Sequence, residues 1–542
     1  MEHLDTKRKL TIMVAIMASM LFAALNQTII GNALPRIVSK LGGMSYFNWV
    51  FTIYMLTSSI TAILVGKLSD IYGRKPFLLI GIGLFVTGSL LCGTATDIFQ
   101  LILYRGFQGL GGGMIMSTAF TSVGDLFPPR ERGRWQGALS AAFGVASVLG
   151  PTLGGYIVDH WEWHWIFWIF LPVGLVAFLL IWWLFPSVSR KENEPIDIAG
   201  SVFLALTITP LLLAFSWAGS KYAWSSPTII GLFGGSILAL ILFVWVERKA
   251  KNPVLPLHLF GNPMFTLSNL VNFTLGVGMF GAIIYTPFFI QGVIGTSATR
   301  SSFVTIPLTL SMVVASIIGG QIVSRTGKYK GLALFGILLM AVGMYLMSLL
   351  DTDATNGAVV LYMIIIGTGL GIAFPIFTLT VQNAVEHRHL GVATSSSQLF
   401  RQMGGTVGVA VMGTILSGHM KDEMSRLTAQ HPAQPAPSPV LAQKLSDLNN
   451  PQILLNPDRL AQIRNSLPES MAGMFDHILQ MLRTTLAHAL DSVFFAGAIV
   501  LFAALIFTLW LKEIPLRTSN QGGDTPPREK SASHVVQEQA SP

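Results

Sequence analysis

Gly66-Lys67-Leu68-Ser69-Asp70-Ile71-Tyr72-Gly73-Arg74-Lys75 recurs 254 residues later as Gly320-Gln321-Ile322-Val323-Ser324-Arg325-Thr326-Gly327-Lys328, with its glycines, aliphatics and terminal base in one frame. Two further pairs keep the order and nearly the same offset. Gly109-Leu-Gly111-Gly-Gly113 matches Gly367-Thr-Gly369-Leu-Gly371 258 residues on, and Gly150-Pro151-Thr-Leu-Gly154 matches Gly404-Gly-Thr-Val-Gly408 at 254 again. A chain that repeats its glycine clusters at one offset is read as two homologous halves.

Composition says what surrounds those halves. Of 542 residues, 52% are hydrophobic and 11% charged, with a mean hydropathy of +0.60; soluble domains are typically about 25% charged, so a water-soluble globule is excluded. Stretches free of Asp, Glu, Lys and Arg and long enough to cross a bilayer, roughly 20 residues, fall at about 11–34, 47–66, 77–95, 98–124, 136–158, 165–186, 197–218, 226–247, 264–290, 302–323, 331–350, 358–381, 391–417 and 491–511. The fourth and thirteenth hold an interior charge, Arg105 and Arg401. The expected fold is all-α and polytopic: fourteen transmembrane helices, two pseudo-symmetric six-helix bundles, and two helices inserted between them. The expected divisions are 1–186 for the first bundle, 187–262 for the inserted pair and linker, 263–417 for five helices of the second bundle, 418–490 for an outer segment, 491–512 for the last helix and 513–542 for a disordered tail. An even insertion leaves both halves in one orientation, as parallel repeats require.

An even count also puts both termini on one face. With the termini cytoplasmic, the inner segments hold 22 of the 34 Lys and Arg, while the short outer loops hold four: Arg36, Lys40, Lys221 and Arg300. Six more lie in 418–490, too long to obey the positive-inside rule. The net charge of +8 is thus topology, and no nucleic-acid partner is expected. The first apolar run, about 26 uncharged residues after Lys7-Arg8-Lys9, exceeds the roughly 7–15 of a signal core and is read as a retained helix. One cysteine, Cys92, allows no intrachain disulfide.

Several motifs carry a resemblance. The chain resembles the major facilitator superfamily, and within it the fourteen-helix drug:proton antiporter branch of multidrug exporters, over about residues 10–418 and 491–512. Gly66, Asp70, Gly73, Arg74 and Lys75 match the family signature between helices 2 and 3, Arg105-Gly-Phe-Gln108-Gly109 its intramembrane arginine motif, and Gly150-Pro151-Thr-Leu-Gly154-Gly155 the motif separating exporters from importers. The resemblance implies alternating access about a midplane site, in a bacterial cytoplasmic membrane.

Each motif also has a physical reading. Asp70, Arg74 and Lys75 can pair at the cytoplasmic surface, with Asp125 the natural partner of Arg74, forming a gate that latches one conformation; plain positive-inside anchoring is the alternative. Gly150, Pro151, Gly154 and Gly155 make a bendable, close-packing segment. Arg105, eight residues past Asp97, and Asn26, nine before Pro35, both lie about 12–14 Å below the outer surface and can meet, with Gln108 one turn along. Arg105 is expected to serve substrate or coupling, with bracing as the alternative. Arg401, flanked by Gln398 and Gln402, is expected to line the cavity, with snorkelling as the alternative.

Departures from the branch pattern sharpen the expectation. Leu25-Asn26-Gln27-Thr28 stands where the branch usually carries an acid, so the proton-binding carboxylate that the resemblance implies is an amide here. Coupling would then use Asp125 or Asp70, or be absent, and a cavity with Arg105 and Arg401 but no central acid suits neutral, zwitterionic or anionic amphiphiles better than dications. His160, Glu162 and His164 alternate near an outer loop, yet the aromatic belt around Trp163 and Trp165 accounts for them better than a metal does. The glycines of 367–371 lie inside a span with no strand before them and read as packing. No nucleophile–base set, metal cluster or cofactor loop is found, so no enzyme and no cofactor is expected. The reading is a secondary exporter of amphipathic small molecules by rocker-switch exchange, with protons and the bilayer as expected partners; the alternative is a dedicated exporter of a siderophore, lipid or peptide with atypical or no coupling. Met471, Met474, Ile478, Met481 and Leu482 predict an amphipathic helix before the last span, after a Pro-rich stretch at 432–439, and 418–490 is a candidate extracytoplasmic contact.

Overall fold

The computed structural model describes residues 5–41, 46–186, 197–219, 221–296, 298–430, 454, 457–465 and 472–513. Among these, regular structure is helical apart from one isolated bridge, Ala218 to Tyr222. The first half comprises α1 (Thr6–Leu41), α2 (Phe47–Tyr72), α3 (Arg74–Gly93), α4 (Ile98–Leu126), α5 (Pro129–His160), the short α6 (Trp165–Trp168) and α7 (Leu171–Leu184). The inserted pair is α8 (Ile198–Trp217) and α9 (Pro227–Lys249). Then come α10 (Pro263–Phe288), α11 (Ala298–Thr326), α12 (Lys330–Met347), α13 (Asn356–Asn383), α14 (Leu390–Gln430), α15 (Pro457–Asn465) and α16 (Ala472–Trp510).

Thirteen stretches of described helix are long and apolar enough to cross a membrane. The fourteenth expected span is α4, whose Arg105, Asp125 and small residues lower its hydropathy; it is shielded against α2 and α3. The sixth span is broken into α6 and α7, because Pro172 in the first turn of α7 cannot donate a helical hydrogen bond. The span boundaries at the far end also differ from expectation. At about 1.5 Å per residue, α14 with 41 residues and α16 with 39 are each about 60 Å long, twice the hydrocarbon thickness. The amphipathic stretch is the first part of α16 itself, with Phe475 and Leu482 buried and Ile478 and Met481 half-buried. Met471, the Met474 side chain, the 432–439 stretch and the tail beyond 513 lie outside the described residues.

The duplicated glycines repeat their packing. In α4, Gly109 and Gly113 lie against the α2 backbone at Tyr54 and Ser58 while Gly111 faces Gly81 of α3; in α13, Gly367 and Gly371 lie against α11 at Leu308 and Met312 while Gly369 faces Gly336 of α12. A Cβ at any of these six would strike neighbouring backbone, so the spacing serves two helix faces at once. Likewise α1 packs on α5 and α10 on α14.

The halves meet through two equivalent crossings, α5 with α11 and α2 with α14. In the first, Gly133 and Gly137 of α5 face Gly320 and Ser316 of α11, and Ser316 Oγ donates to the Gly137 carbonyl at 3.0 Å. In the second, Gly66 of α2 meets Gly391 of α14, where a Cβ on Gly66 would lie 2.7 Å from the Gly391 carbonyl. Both crossings lie toward the face holding the beginnings of α1 and α5 and the ends of α4, α11 and α16: Lys9 sits over the Phe127 ring, Arg130 donates to the Ser324 and Arg325 carbonyls, and Glu513 accepts from the Tyr329 and Lys330 amides. We call this the termini face.

Gly320→Ala should lower the thermal unfolding midpoint in detergent by the equivalent of about 1–3 kcal/mol of overpacking. Gly235→Ala on α9, where a Cβ would meet nothing within 4 Å, should leave it unchanged or slightly raised.

Candidate functional site

Two groups of polar residues stand out, one at the termini face and one within the membrane. At the termini face, Gly73 with φ of 88° forms the one-residue turn that joins α2 to α3 and brings Arg74 back beneath Asp70. Arg74 is 4% exposed and spends its whole fork locally: Nη2 on Asp70 Oδ1, Nη1 on Ser69 Oγ at 2.5 Å, and Nε on Asp125 Oδ2 at 2.8 Å. Asp125 Oδ1 lies 3.2 Å from Nε2 of His387, which belongs to the other half. Asp70 reaches across as well. Its two oxygens accept from the Gly391 amide at 2.9 and 3.0 Å, and Oδ2 accepts from Val392 at 3.2 Å. A carboxylate thus sits on the positive end of a 41-residue helix, where otherwise unpaired amides need acceptors. Gly66 lets α14 come close enough for this, since Gly391 lies against its carbonyl. Lys75 is half-buried and, among the described residues, forms no ion pair with Asp70 or Asp125, contrary to the charge pairing expected of it.

Within the membrane, Asn26, Arg105 and Gln108 come together from α1 and α4, all fully buried. Arg105 Nη1 donates to Gln108 Oε1 at 2.6 Å and to Asn26 Oδ1 at 3.4 Å, and Nε donates to the Val50 carbonyl at 3.4 Å. Gln108 Nε2 donates to Asn26 Oδ1 at 3.0 Å and to Ser89 Oγ at 2.6 Å, and the Arg105 guanidinium lies over the Tyr54 ring at 4.2 Å. The cluster ties α1, α2, α3 and α4 together without a counter-charge, and Arg105 Nη2 is buried without a partner. In this conformation the three residues are sealed inside the first half rather than lining a space between the halves.

Of the remaining cavity candidates, Gln398, like its neighbour Gln402, reaches the partner half directly, while Gln27 and Arg401 rest on Met55 and Phe374 of their own halves, residues that themselves touch the partner. Gln27 Nε2 and Gln402 Nε2 both point at the Met55 sulfur, at 3.6 and 3.7 Å; Ser59 Oγ donates to Gln402 Oε1 at 2.6 Å; Gln398 Nε2 donates to the Met116 carbonyl at 3.3 Å. Arg401 lies with its guanidinium 3.7 Å from the Phe374 ring centroid and Nη1 buried without a partner. Below them, toward the termini face, Gln136 and Gln382 bridge the halves, each amide also donating to the Phe120 carbonyl.

In the Gly150–Gly155 segment, Gly150 and Gly154 pack against Thr28 and Ile29 of α1, and Thr28 Oγ1 donates to the Ala146 carbonyl at 2.9 Å. A Cβ on Gly155 would meet nothing within 4 Å, the Pro151 side chain lies outside the described residues, and α5 runs unbroken through the segment. On the opposite face each member of the His160, Glu162 and His164 trio has a separate partner: Tyr156 carbonyl, Lys40 and Gly93 carbonyl. The Lys40 ammonium holds the Glu162 carboxyl below its ordinary range. Residues missed in the sequence are Gly133 and Gly137, Ser316, and the Gln136–Gln382 pair. The small-x-x-x-small spacing of 133–137 and 316–320 is a signal that could have found the first three.

Comparison with known proteins agrees with the architecture. The Major Facilitator Superfamily model matches residues 16–409. The multidrug transporter protein MdtP of Bacillus subtilis is 40% identical over 543 residues, covering 98% of each chain. Multidrug resistance protein 3 of Bacillus subtilis is 36% identical over 404 residues, covering 74% of this chain and 79% of that one. Among solved structures, the human organic anion transporter MFSD10 superposes with a TM-score of 0.60 at 13% identity, over 92% of this chain and 99% of the other, a likeness of fold.

Asn26→Asp should raise the thermal unfolding midpoint at pH 7, because it gives the buried Arg105 guanidinium a charged acceptor, a gain of about 1–3 kcal/mol. Gln108→Leu should lower it by a similar amount by orphaning Arg105 and Asn26.

Proposed function

The chain belongs to the Major Facilitator Superfamily, and from that premise we propose that it is a secondary active exporter of amphipathic small molecules, seen here closed at the cytoplasm. Membership makes it a multi-pass membrane transporter rather than an enzyme. The observation that carries the finer reading is the Asp70 cap on α14: two duplicated halves are joined on the termini face by contacts of a kind that can break. Backbone-to-carboxylate bonds, a His387–Asp125 contact and glycine crossings close that face, beside apolar packing of Leu56 and Ile63 of α2 with Val392 and Leu399 of α14. Rocking one half against the other would sever them and open a path to the midplane glutamines. The basic inner segments read from the sequence support a cytoplasmic termini face in a bacterial plasma membrane, and the multidrug transporter and multidrug resistance protein of Bacillus subtilis among its relatives support multidrug export.

Coupling is proposed to run through protons, with Asp125 as the coupling carboxylate in place of the amide at Asn26. Asp125 is the group at which Arg74 of its own half and His387 of the other converge, so a proton taken up there would loosen the seal on both sides. A dedicated exporter of one natural product, without the usual coupling, is the second reading; it is favoured by the fully buried Asn26 where the branch carries an acid.

In proteoliposomes, an imposed pH difference should drive dye transport by the natural chain, and Asp125→Asn should slow it at least about tenfold if one proton-linked step is lost. Robust proton-driven uptake of a divalent cationic dye by Asp125→Asn would overturn the coupling assignment.

A further inference from the structure

We propose that Arg401 is the centre of an anion site between the halves, and that the transported molecules include amphipathic monoanions whose acidic group rests on it. The inference deepens the transport reading above and rests on it.

Arg401 is eleven residues past Leu390, the first of α14. At about 1.5 Å per residue that is about 16 Å from the helix start, close to the middle of a hydrocarbon layer about 30 Å thick. A guanidinium at that depth demands a partner, and long side chains reach the interface only from nearer the ends of a span. The two intramembrane arginines differ in this respect. Arg105 is served by Gln108, Asn26 and the Val50 carbonyl. Arg401 rests on the face of Phe374, and its Nη1 is buried with no acceptor.

The neighbouring amides have the same surplus. Gln27 and Gln402 both turn their NH2 groups to the thioether of Met55, a weak acceptor, at 3.6 and 3.7 Å. The acceptor side of Gln402 is already taken by the Ser59 hydroxyl. What Arg401, Gln27 and Gln402 leave unsatisfied or weakly satisfied is donors, from α1 on one half and α14 on the other, and what donors lack is an oxyanion; the partnerless buried acceptors Asn269 Oδ1 and Asn272 Oδ1 belong to α10. No carboxylate of the chain fills the role among the described residues: Asp70, Asp125 and Glu247 lie at the ends of their spans near the termini face, and Asp491 lies on α16 near Asp351 at the opposite one. Apolar surface for the rest of the molecule is at hand, since Phe374 pairs with Phe120 at 6.5 Å and Met116 and Met55 flank the amides. Because Gln27 and Gln402 come from different halves, an oxyanion held by both would also couple its own binding to the spacing of the halves.

The test is equilibrium dialysis against the full chain in phosphatidylcholine nanodiscs, with empty discs as blank. The probes are 1-anilinonaphthalene-8-sulfonate, an amphipathic monoanion, and N-phenyl-1-naphthylamine, the same aromatic body without the charge. The expected result is saturable binding with the sulfonate preferred at least about tenfold, as a charge-assisted hydrogen-bonded contact gives. Arg401→Gln should cut that preference at least about tenfold, and Arg401→Lys, which keeps the charge, should restore part of it. Gln402→Leu should reduce it by a smaller factor and guards against a folding defect peculiar to position 401. An anion-to-neutral ratio unchanged in Arg401→Gln, or preference for the neutral probe in the natural chain, would overturn the site while leaving export intact. Failure of both probes to bind saturably or to be carried in proteoliposomes would remove the transport reading along with it.

Discussion

The carboxylate of Asp70, seated on the start of α14, ties the two halves of this protein together at the termini face. Asp70 leaves its own helix through Arg74 and accepts the first amides of α14 across the interface. The features around Asp70 serve that contact. Gly73 turns the chain so that Arg74 lies under the carboxylate, Asp125 fixes the rest of the guanidinium, and Gly66 and Gly391 remove the side chains that would hold the helices apart. The equivalent crossing of α5 and α11 has the same glycine contact but Ser324 at the position of Asp70, and there the bond is Arg130 to backbone carbonyls. One pseudo-symmetric seal is therefore held by a carboxylate on a helix dipole and the other by neutral acceptors, so the pair need not open with equal ease.

Inside the bilayer the same accounting of donors and acceptors separates two arginines that look alike in sequence. No water competes there, so each polar group is satisfied by protein, left costly, or kept for a ligand. Arg105 belongs to the first category for most of its donors, and it braces four helices of one half. Arg401 belongs to the last. The departure at Asn26 links them. An acid there would neutralise Arg105 and offer a proton site; an amide leaves a purely basic interior, which moves any proton chemistry to the surface cluster and tilts the cavity toward anions.

Much of this was legible beforehand, because duplication and charge burial leave direct marks on sequence. The repeated glycines predicted two halves, and helical rise placed Asn26 and Arg105 at one depth with Gln108 one turn along, where the structure brings them together. Arg74 and Asp125 were paired for the same reason. What stayed hidden depends on tertiary approach. Nothing local says that Asp70 will cap a helix 320 residues away, or that Lys75, one residue past a fully engaged arginine, will form no ion pair with Asp70 or Asp125. The Gly133–Ser316 crossing stays hidden because Gly133 lies among charged residues at a helix start, outside the apolar run 136–158, and Ser316, though inside 302–323, meets α5 only through tertiary approach. The length of α16 was underestimated for a related reason: a helix leaving the bilayer may carry Asp476 and Arg483 at no cost, so the end of the apolar stretch was not the end of the helix.

The central claim, that Asp70 on α14 holds the termini face closed, is tested most directly by accessibility. In a chain with Cys92→Ala and Ser395→Cys, the new thiol would lie against Gly66 beneath the cap, where Ser395 is 1% exposed. The account predicts slow labelling by an impermeant maleimide applied to that face, and labelling at least about tenfold faster once Asp70→Asn removes the charged acceptor. Equal rates with and without Asp70→Asn would contradict it.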